Sequence, residues 1–385
     1  MKAGNSTIVN KGGKQMADKT FPGRLALQQR VLPAYRLPFI DTLAQACAGG
    51  LSVFAGQPQP GEQITAAKRP EHAVLVPARN RHFLDPSSPF YQCWQPGLLA
   101  WLEDWQPDAL VVEANPRYRN TPAAVRWMHA RGRPVIGWGL GAPPVSGPLA
   151  AWRAGARTKF LTSLDALIAY SQRGAREYRL LGFPADRVFV APNAVAPAPT
   201  QPPPARPDHF NVRPHLLFVG RLQERKRIDH LLRACQALPE ALQPEVRIVG
   251  DGPARPELER LAGQLYPAAR FSGAHFGAEL DADFAWADLF VLPGTGGLAV
   301  QQAMSHGLPV IVAQGDGTQD DLVRSANGWQ VAGGDLASLQ SALAAALSDA
   351  PRLRQMGLES YHIVHDEINL ETMVNVFIHA LRKVR

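Results

Sequence analysis

The stretch LPGTGGLAVQQAMSHGLPVIVA, residues 292–313, starts with a glycine-rich turn and continues into a helix-forming segment and a short apolar run. Glycines before a helix N-terminus let backbone N–H groups point at an anion, which the helix dipole also favours. No Asp or Glu occurs in the stretch, so it offers no carboxylate to a sugar or a metal. We therefore predict a phosphate-binding turn, then a helix, then a buried strand.

Short apolar runs alternate with helix-forming segments along most of the chain. Examples are DALVVEA (108–114), RPVIGWG (133–139), HLLFVG (215–220) and EVRIVG (245–250). Runs of this kind are typical of parallel strands that helices bury on both faces. Because 385 residues exceed what one compact core usually holds, the sequence predicts an α/β protein of two doubly wound, Rossmann-like domains.

A proline-rich segment separates the two halves, since residues 191–214 contain eight prolines and almost no periodicity. Such a segment is typical of an extended linker. We expect a flexible tail at 1–22, an N-terminal domain at 23–195, a linker at 196–213, a C-terminal domain at 214–365 and a terminal helix at 366–385.

The positive charge lies in the first half. Residues 1–200 hold 23 Lys and Arg against 12 Asp and Glu, whereas residues 201–385 hold 17 against 21. This asymmetry favours an anionic partner, such as a phosphorylated substrate or an acidic lipid surface, or else a solvated basic face. No nucleic-acid-binding motif is present, so we expect no nucleic-acid partner. No apolar run is long enough for a signal peptide or a membrane span, and we expect a cytoplasmic protein.

Three motifs in the second half indicate an anion site. One is the stretch at 292–313, and the other two precede it in the sequence. Arg221 and Lys226 follow the apolar run that ends at Gly220 and precede a helix-forming segment. Two cations beside a helix N-terminus bind phosphate well. The run IVGDGP places Gly250 and Gly252 after the next strand, where small residues let a ligand approach the backbone.

Taken in order from about residue 160 to the C-terminus, these motifs resemble the retaining family 4 glycosyltransferases of the GT-B fold, the glycosyl transferases group 1. The resemblance rests on LDALIAYSQRGAREYRLLGF, VGRLQERKRIDHLL, IVGDGP, FSGAHFGAEL and the stretch at 292–313. It implies two Rossmann-like domains that face each other across a cleft, with the terminal helix packed back on the first domain. The alternative is a pair of generic Rossmann-like domains without sugar-nucleotide chemistry.

The resemblance also implies roles for individual residues. Arg221 and Lys226 would hold the diphosphate of a UDP- or GDP-type sugar and stabilise the charge on the leaving phosphate. The N–H groups of Gly296, Gly297 and Leu298 would add to this field. We therefore expect neither a metal nor a cofactor.

Two positions depart from the family. Its members carry a Glu, seven residues, then a second Glu, and here those positions are Gly294 and Gln302. Gln302 would bind a ribose hydroxyl as a neutral amide, or else lie exposed on the helix. No side chain exists at Gly294, so Thr295 or backbone groups would orient the sugar.

The first half holds further candidates. Glu113 follows an apolar run and would act on the acceptor hydroxyl, or pair as a structural carboxylate with Arg117 or Arg119. Arg36 follows the first strand and would contact phosphate or lie at the surface. The family's usual His is absent, because alignment puts Leu140 there.

These features predict a glycosyltransferase that moves a hexose-type sugar, with retention, to a hydroxyl of a glycan or lipid-linked acceptor, in surface polysaccharide synthesis. A catalytically silent scaffold and a sugar-nucleotide 2-epimerase are the alternatives. Trp152, Ala156 and Phe160 share a helical face with cations nearby, so peripheral contact with the inner face of an anionic membrane is also considered, against an ordinary core stripe.

Overall fold

A computed structural model describes residues 20–59, 62, 64–210, 212–315 and 317–385. Within it the chain forms two compact units. The first unit comprises the described residues up to Tyr170, together with Gly174–Ala191 and Glu371–Arg385, and the second comprises Ser171–Arg173 and Pro192–Leu370. The predicted tail, residues 1–22, lies almost wholly outside the described residues.

The first unit is built on a parallel sheet. Its strands are β1 Leu25–Val31, β2 Leu51–Gly56, β3 Val74–Pro77, β6 Ala109–Glu113, β7 Val135–Gly139, β8 Ala166–Ala169 and β9 Val188–Val190, with a separate hairpin of β4 Arg81–Phe83 and β5 Gln92–Trp94. The spatial order is β3-β2-β1-β6-β7-β8-β9. Strand β2 is buried along its whole length, and so is β6 except at its last residue, because helices cover both faces.

The helices of the first unit are α1 Leu37–Gln45, α2 Leu98–Trp105, α3 Thr121–His129, α4 Ala150–Leu161 and α5 Gln172–Leu180. The terminal helix, Leu370–Lys383, also belongs almost entirely to this unit. Its fully buried Phe377 lies with its ring centroid 5.0 Å from that of Phe39 and 5.1 Å from that of Trp138. The last helix thus completes the core of the first unit.

The second unit repeats the design. Its strands are β10 His215–Val219, β11 Glu245–Val249, β12 Ala269–Gly273, β13 Leu289–Leu292, β14 Val310–Ala313 and β15 Gly328–Val331, in the order β12-β11-β10-β13-β14-β15. Its helices are α6 Ile228–Gln236, α7 Arg255–Leu265, α8 Ala278–Trp286, α9 Ala299–Ser305, α10 Thr318–Leu322, α11 Leu336–Leu347 and α12 Ala350–His362, so the terminal helix is α13.

Each sheet reverses its strand order beside its first strand. The reversal falls between β1 and β6 in the first unit and between β10 and β13 in the second. Open α/β sheets bind ligands outside the carboxyl ends of the strands at such a point. The prediction of two doubly wound, Rossmann-like units is confirmed, and it gives each unit one favoured place for a ligand.

The proline-rich segment, expected to be a linker at 196–213, packs on the second unit. The Arg206 guanidinium donates to the carbonyls of Phe284 (2.9 Å), Ala287 (2.7 Å) and His306 (2.9 Å). These carbonyls lie at helix C-termini, where a cation is favoured. Arg354 Nε also donates to the Pro207 carbonyl at 2.8 Å, so two arginines hold the segment on the second unit, which its composition does not indicate.

None of the helices in the described residues is both long and apolar enough to cross a membrane.

We expect Phe377→Ala to destabilise the first unit by about 3–5 kcal/mol, because it empties a buried aromatic site. Six of the eight tryptophans belong to this unit, so tryptophan fluorescence during urea unfolding follows it. Asn375→Ala, at an exposed position of the same helix, is the matched control. Equal unfolding midpoints for the two variants would show that α13 does not support this core.

Candidate functional site

The candidate site lies at the strand-order reversal of the second unit, where the segments after β10 and β13 meet. A short 3₁₀ turn, Glu224–Lys226, follows β10, and residues 293–298 follow β13. The backbone N–H of Thr295 donates to the carbonyl of Arg225 at 3.1 Å. We call residues 293–298 the glycine turn.

Lys226 is the centre of this meeting. Its side chain is buried, with the residue only 5% exposed. The Nζ atom donates to the carbonyls of Thr295 (2.8 Å) and Gly296 (3.1 Å). An ammonium has three donors, so one remains for a ligand. Burial, and next the charge of Arg225, lower the pKa of Lys226 to about 8, because both disfavour the protonated form.

Two arginines flank Lys226. Arg225 donates from Nη1 to the Thr295 carbonyl at 3.4 Å and from Nε to Gln223 Oε1 at 2.9 Å. The Arg221 side chain is exposed and has no hydrogen bond or ion pair with any residue that the structure describes. Arg221 and Lys226 were candidates from the sequence, whereas Arg225 was missed. Its place beside the glycine turn depends on a contact 70 positions away along the chain, which no local pattern reports.

The structure gives a steric reason for glycine at position 294. A Cβ atom there would lie 2.1 Å from the Arg225 carbonyl oxygen and 2.5 Å from Lys226 Cα. Gly296 and Gly297 have φ angles of 69° and 141°, in the region that favours glycine. The 3₁₀ turn therefore occupies the space that a side chain at 294 would need.

The candidate glycines after β11, Gly250 and Gly252, allow two backbone segments to approach each other closely. A Cβ at Gly250 would lie 1.9 Å from the Gly220 carbonyl oxygen, and one at Gly252 would lie 2.3 Å from that of Leu222. The N–H of Gly220 donates to the Val249 carbonyl at 2.9 Å. Close approach between the ends of β10 and β11 therefore requires these glycines, where the sequence interpretation had assigned them to ligand approach.

Leu298 and Gln302 lie at the start and in the middle of the helix that follows. Leu298 is the N-cap residue of α9 and is partly exposed. The side chain of Gln302 is exposed, and its amide has no partner among the described residues. Thr295 is exposed as well. Because α9 has only seven residues, its dipole is short, and the cations supply most of the positive field.

In the first unit, Glu113 ends β6 and accepts two hydrogen bonds. The backbone N–H of Arg30 donates to its Oε1 at 2.5 Å, and the Tyr118 hydroxyl donates to its Oε2 at 2.6 Å. Burial, followed by the charge of Glu113, raises the pKa of Tyr118 well above its ordinary value. The structure thus gives Glu113 a joining role between the ends of β1 and β6, with Arg30 and Tyr118 as partners in place of Arg117 or Arg119.

Arg36 follows β1 and packs inside the first unit. Its guanidinium lies 4.3 Å from the ring centroid of Trp138, and it donates to Gln29 Oε1 and to the Tyr170 hydroxyl, both at 2.8 Å. All of these partners are neutral. Arg36 is therefore held at the carboxyl edge of the sheet by polar and aromatic contacts, and its predicted phosphate contact stays a prediction.

The three residues of the helical face considered for membrane contact differ in exposure. Trp152 is 65% exposed and Ala156 is exposed, whereas Phe160 is buried. Within the described ranges, no group of three or more His, Cys, Asp or Glu side chains is arranged to hold a metal ion.

Two family models match this chain, each over about two fifths of its length. A model for glycosyl transferases group 1 matches residues 213–349, and a model for the glycosyl transferase 4-like domain matches residues 43–194. Both matches indicate a GT-B glycosyltransferase of group 1. The two matched regions lie in the second and the first unit respectively.

Individual relatives agree with this family. A sulfoquinovosyl transferase of Arabidopsis thaliana is 39% identical over 111 residues, which are 28% of this chain and 21% of that protein. A GDP-mannose-dependent alpha-mannosyltransferase of Mycolicibacterium smegmatis is 39% identical over 127 residues, 31% of this chain and 32% of that protein. The chain thus matches less than half the length of these relatives.

Among solved structures, the Anabaena protein Alr3699/HepE in complex with UDP superposes with a TM-score of 0.67 at 15% identity. The match covers 94% of this chain and 99% of that one. At this identity the likeness shows the fold alone, and the predicted GT-B fold is confirmed.

We expect Gly294→Ala to destabilise the second unit by about 1–3 kcal/mol, because the added methyl group overlaps the 3₁₀ turn. The matched control is Gly263→Ala on α7, where a Cβ meets nothing within 4 Å. That change should stabilise the unit slightly, since alanine favours a helix. Thermal unfolding of both variants measures the difference. A neutral Gly294→Ala variant would contradict the described path of the glycine turn.

Proposed function

We propose that the protein transfers a hexose-type sugar from a nucleoside diphosphate sugar to a hydroxyl of a glycan or a lipid-linked acceptor, in the synthesis of cell-surface polysaccharide. The observation that carries the proposal is the buried ammonium of Lys226, which lies against the glycine turn and has one donor left. Arg221 and Arg225 precede it in the same segment. This is an anion site at the place where α/β sheets bind ligands.

The cations supply what the chemistry of a nucleotide sugar needs. Negative charge grows on the leaving diphosphate as the bond to the sugar breaks. Fixed donors that bind this developing charge more strongly than the ground state lower the barrier. Three cations in one segment can do so without a metal ion, so the proposed reaction is independent of metal.

Retention is proposed as a displacement on one face of the sugar, without a nucleophile from the protein. Residues 292–313 contain no carboxylate that could attack the sugar. In the proposed reaction a phosphate oxygen of the donor accepts the proton of the acceptor hydroxyl as the phosphate leaves. The new bond then forms on the face from which the diphosphate departs.

The donor contacts are proposed as follows. Lys226 and Arg221 bind the diphosphate, the free amide of Gln302 binds a ribose hydroxyl, and Thr295 or the turn's backbone orients the sugar. The donor is of the UDP or GDP type. One related protein is GDP-mannose-dependent and one protein of similar fold binds UDP, which supports both bases as candidates.

We expect Arg221→Ala and Lys226→Met each to lower turnover about 10- to 100-fold, because each removes a charge-assisted bond worth roughly 1.5–3 kcal/mol. The assay follows release of UDP or GDP from a panel of UDP-, GDP- and ADP-sugars, with EDTA present. Arg233→Ala, an exposed arginine on α6, is the charge-matched control.

Each outcome of this assay has one meaning. If the double variant Arg221→Ala, Lys226→Met turns over as fast as the control, Arg221 and Lys226 do not bind the diphosphate. Nucleotide binding without release of any product would favour the catalytically silent scaffold. The absence of both family carboxylates is the observation that supports this alternative. Conversion of the donor to its epimer would favour the epimerase.

A further inference from the structure

A small two-stranded sheet lies outside the main sheet of the first unit. Strands β4 and β5 pair antiparallel, with Arg81 opposite Trp94 and Phe83 opposite Gln92. Tyr118, in the turn after β6, forms an isolated parallel bridge with Cys93 of β5. The N–H of Cys93 donates to the Arg117 carbonyl at 2.9 Å, and the N–H of Arg119 donates to the Cys93 carbonyl at 3.0 Å. We call this structure the outer layer.

The two faces of the outer layer differ because strand side chains alternate. On the inner face, Cys93 and Tyr118 are buried and form a cluster with Tyr91. The Tyr118 hydroxyl anchors the layer to Glu113 at the end of β6. The other face carries the alternate positions of β4 and β5, which are Arg81, Phe83, Gln92 and Trp94. Arg119 joins this face through its contact with the Phe83 ring, and Arg117 lies two residues before it.

The arginines of the outer face have no acidic partner. Arg81 lies 5.1 Å from the ring centroid of Trp94, and Arg119 lies 5.4 Å from that of Phe83. Among the residues that the structure describes, no carboxylate lies within ion-pair distance of these two arginines or of Arg117. A guanidinium that stacks on a ring is ordered before it binds, so its N–H edge can hold a carboxylate or phosphate at a lower entropic cost.

The position of the layer connects it with ligand binding. Arg81 follows the end of β3 at Pro77, and Arg117 follows the end of β6 at Glu113. Both segments therefore lie at the carboxyl edge of the first sheet, where ligands bind in this class of fold. The basic excess of the first half of the sequence is thus displayed, in part, at a ligand edge.

We infer that the outer face binds a multiply charged anionic saccharide, one with carboxylate or phosphate groups on more than one sugar, as the acceptor of the reaction. The inference rests on the proposed function, which supplies the saccharide, while the unpaired arginines supply the charge. Arg81 and Arg119 lie over different rings, those of Trp94 and Phe83, and Arg117 adds a third cation nearby. A saccharide that carries several carboxylate or phosphate groups can contact more than one of these cations at once.

An anionic membrane is the competing partner, because Phe83 is 42% exposed and Leu84 is 64% exposed. The stacked guanidinium groups cover the rings of Phe83 and Trp94, however, and this keeps them from inserting into hydrocarbon. The layer presents flat, charged pairs, which favour a glycan over a bilayer.

The test uses the full chain and a triple variant, Arg81→Gln, Arg117→Gln and Arg119→Gln. The control triple is Arg126→Gln, Arg176→Gln and Arg233→Gln, which removes the same charge at exposed helix positions. The probes are a galacturonate hexasaccharide, a phosphorylated oligosaccharide, neutral maltohexaose and phosphatidylglycerol vesicles. Affinity is measured by calorimetry at low and high salt. The single variant Arg119→Gln is measured as well, together with its melting temperature. It tests the face with a folded protein if the triple variant does not fold.

We expect the wild type and the control triple to bind an anionic saccharide with affinity that falls as salt rises. The outer-face triple should bind it at least tenfold more weakly, since each exposed ion pair contributes about two- to fivefold. Neutral maltohexaose should bind weakly to all three. Binding of the galacturonate hexasaccharide would indicate recognition of carboxylates, and binding of the phosphorylated oligosaccharide would indicate recognition of phosphates.

Equal affinity of the two triples, or absence of binding by the wild type, overturns the inference. So does loss of vesicle binding in the outer-face triple without any saccharide binding, which would assign the face to a membrane. Release of UDP or GDP from the donor by the wild type is measured separately, so that failure of the proposed function is distinguished from failure of this inference. A wild type that binds the saccharide but releases no nucleotide would refute the proposed function and leave the anionic face standing.

Discussion

The buried ammonium of Lys226 is the interaction on which the candidate site depends. A charge of this kind is costly to remove from water unless donors and acceptors replace the solvent. Here the carbonyls of Thr295 and Gly296 accept two of its hydrogens, and the Thr295 N–H returns a bond to Arg225. The third hydrogen is left for a ligand. Burial also lowers the pKa of Lys226 to about 8, so an anion that binds there stabilises the charged form.

The absence of acids from the glycine turn follows from this packing. The 3₁₀ turn that carries Lys226 occupies the space where a side chain at 294 would begin, so a Glu there is excluded unless the two segments separate. The ends of β10 and β11 also approach too closely for any residue but glycine at 250 and 252. Backbone and cations therefore form this edge of the second unit, and such a surface suits a diphosphate better than a metal ion.

The sequence predicted what depends on local pattern. Alternating apolar runs indicated the parallel strands, and the order of the motifs placed Lys226 and the glycine turn after neighbouring strands. It did not predict the role of Arg225, the attachment of the proline-rich segment by Arg206, or the bond from the Arg30 N–H to Glu113. Each of these depends on a contact between residues 70 or more positions apart, for which no periodicity or spacing gives a signal. The outer face of the outer layer could also be recognised only from the structure, because the strand register shows which side chains lie on the same face.

Calorimetry at pH 8, with UDP and GDP titrated into the protein in two buffers of different ionisation enthalpy, tests the central claim most directly. Because the pKa of Lys226 is lowered to about 8, part of the free protein lacks this proton at pH 8, and a bound diphosphate should restore it. The account predicts net proton uptake on binding, and Lys226→Arg should abolish it because arginine stays charged throughout. Binding without proton uptake, or with equal uptake by the two proteins, would contradict the assignment of Lys226 to the diphosphate.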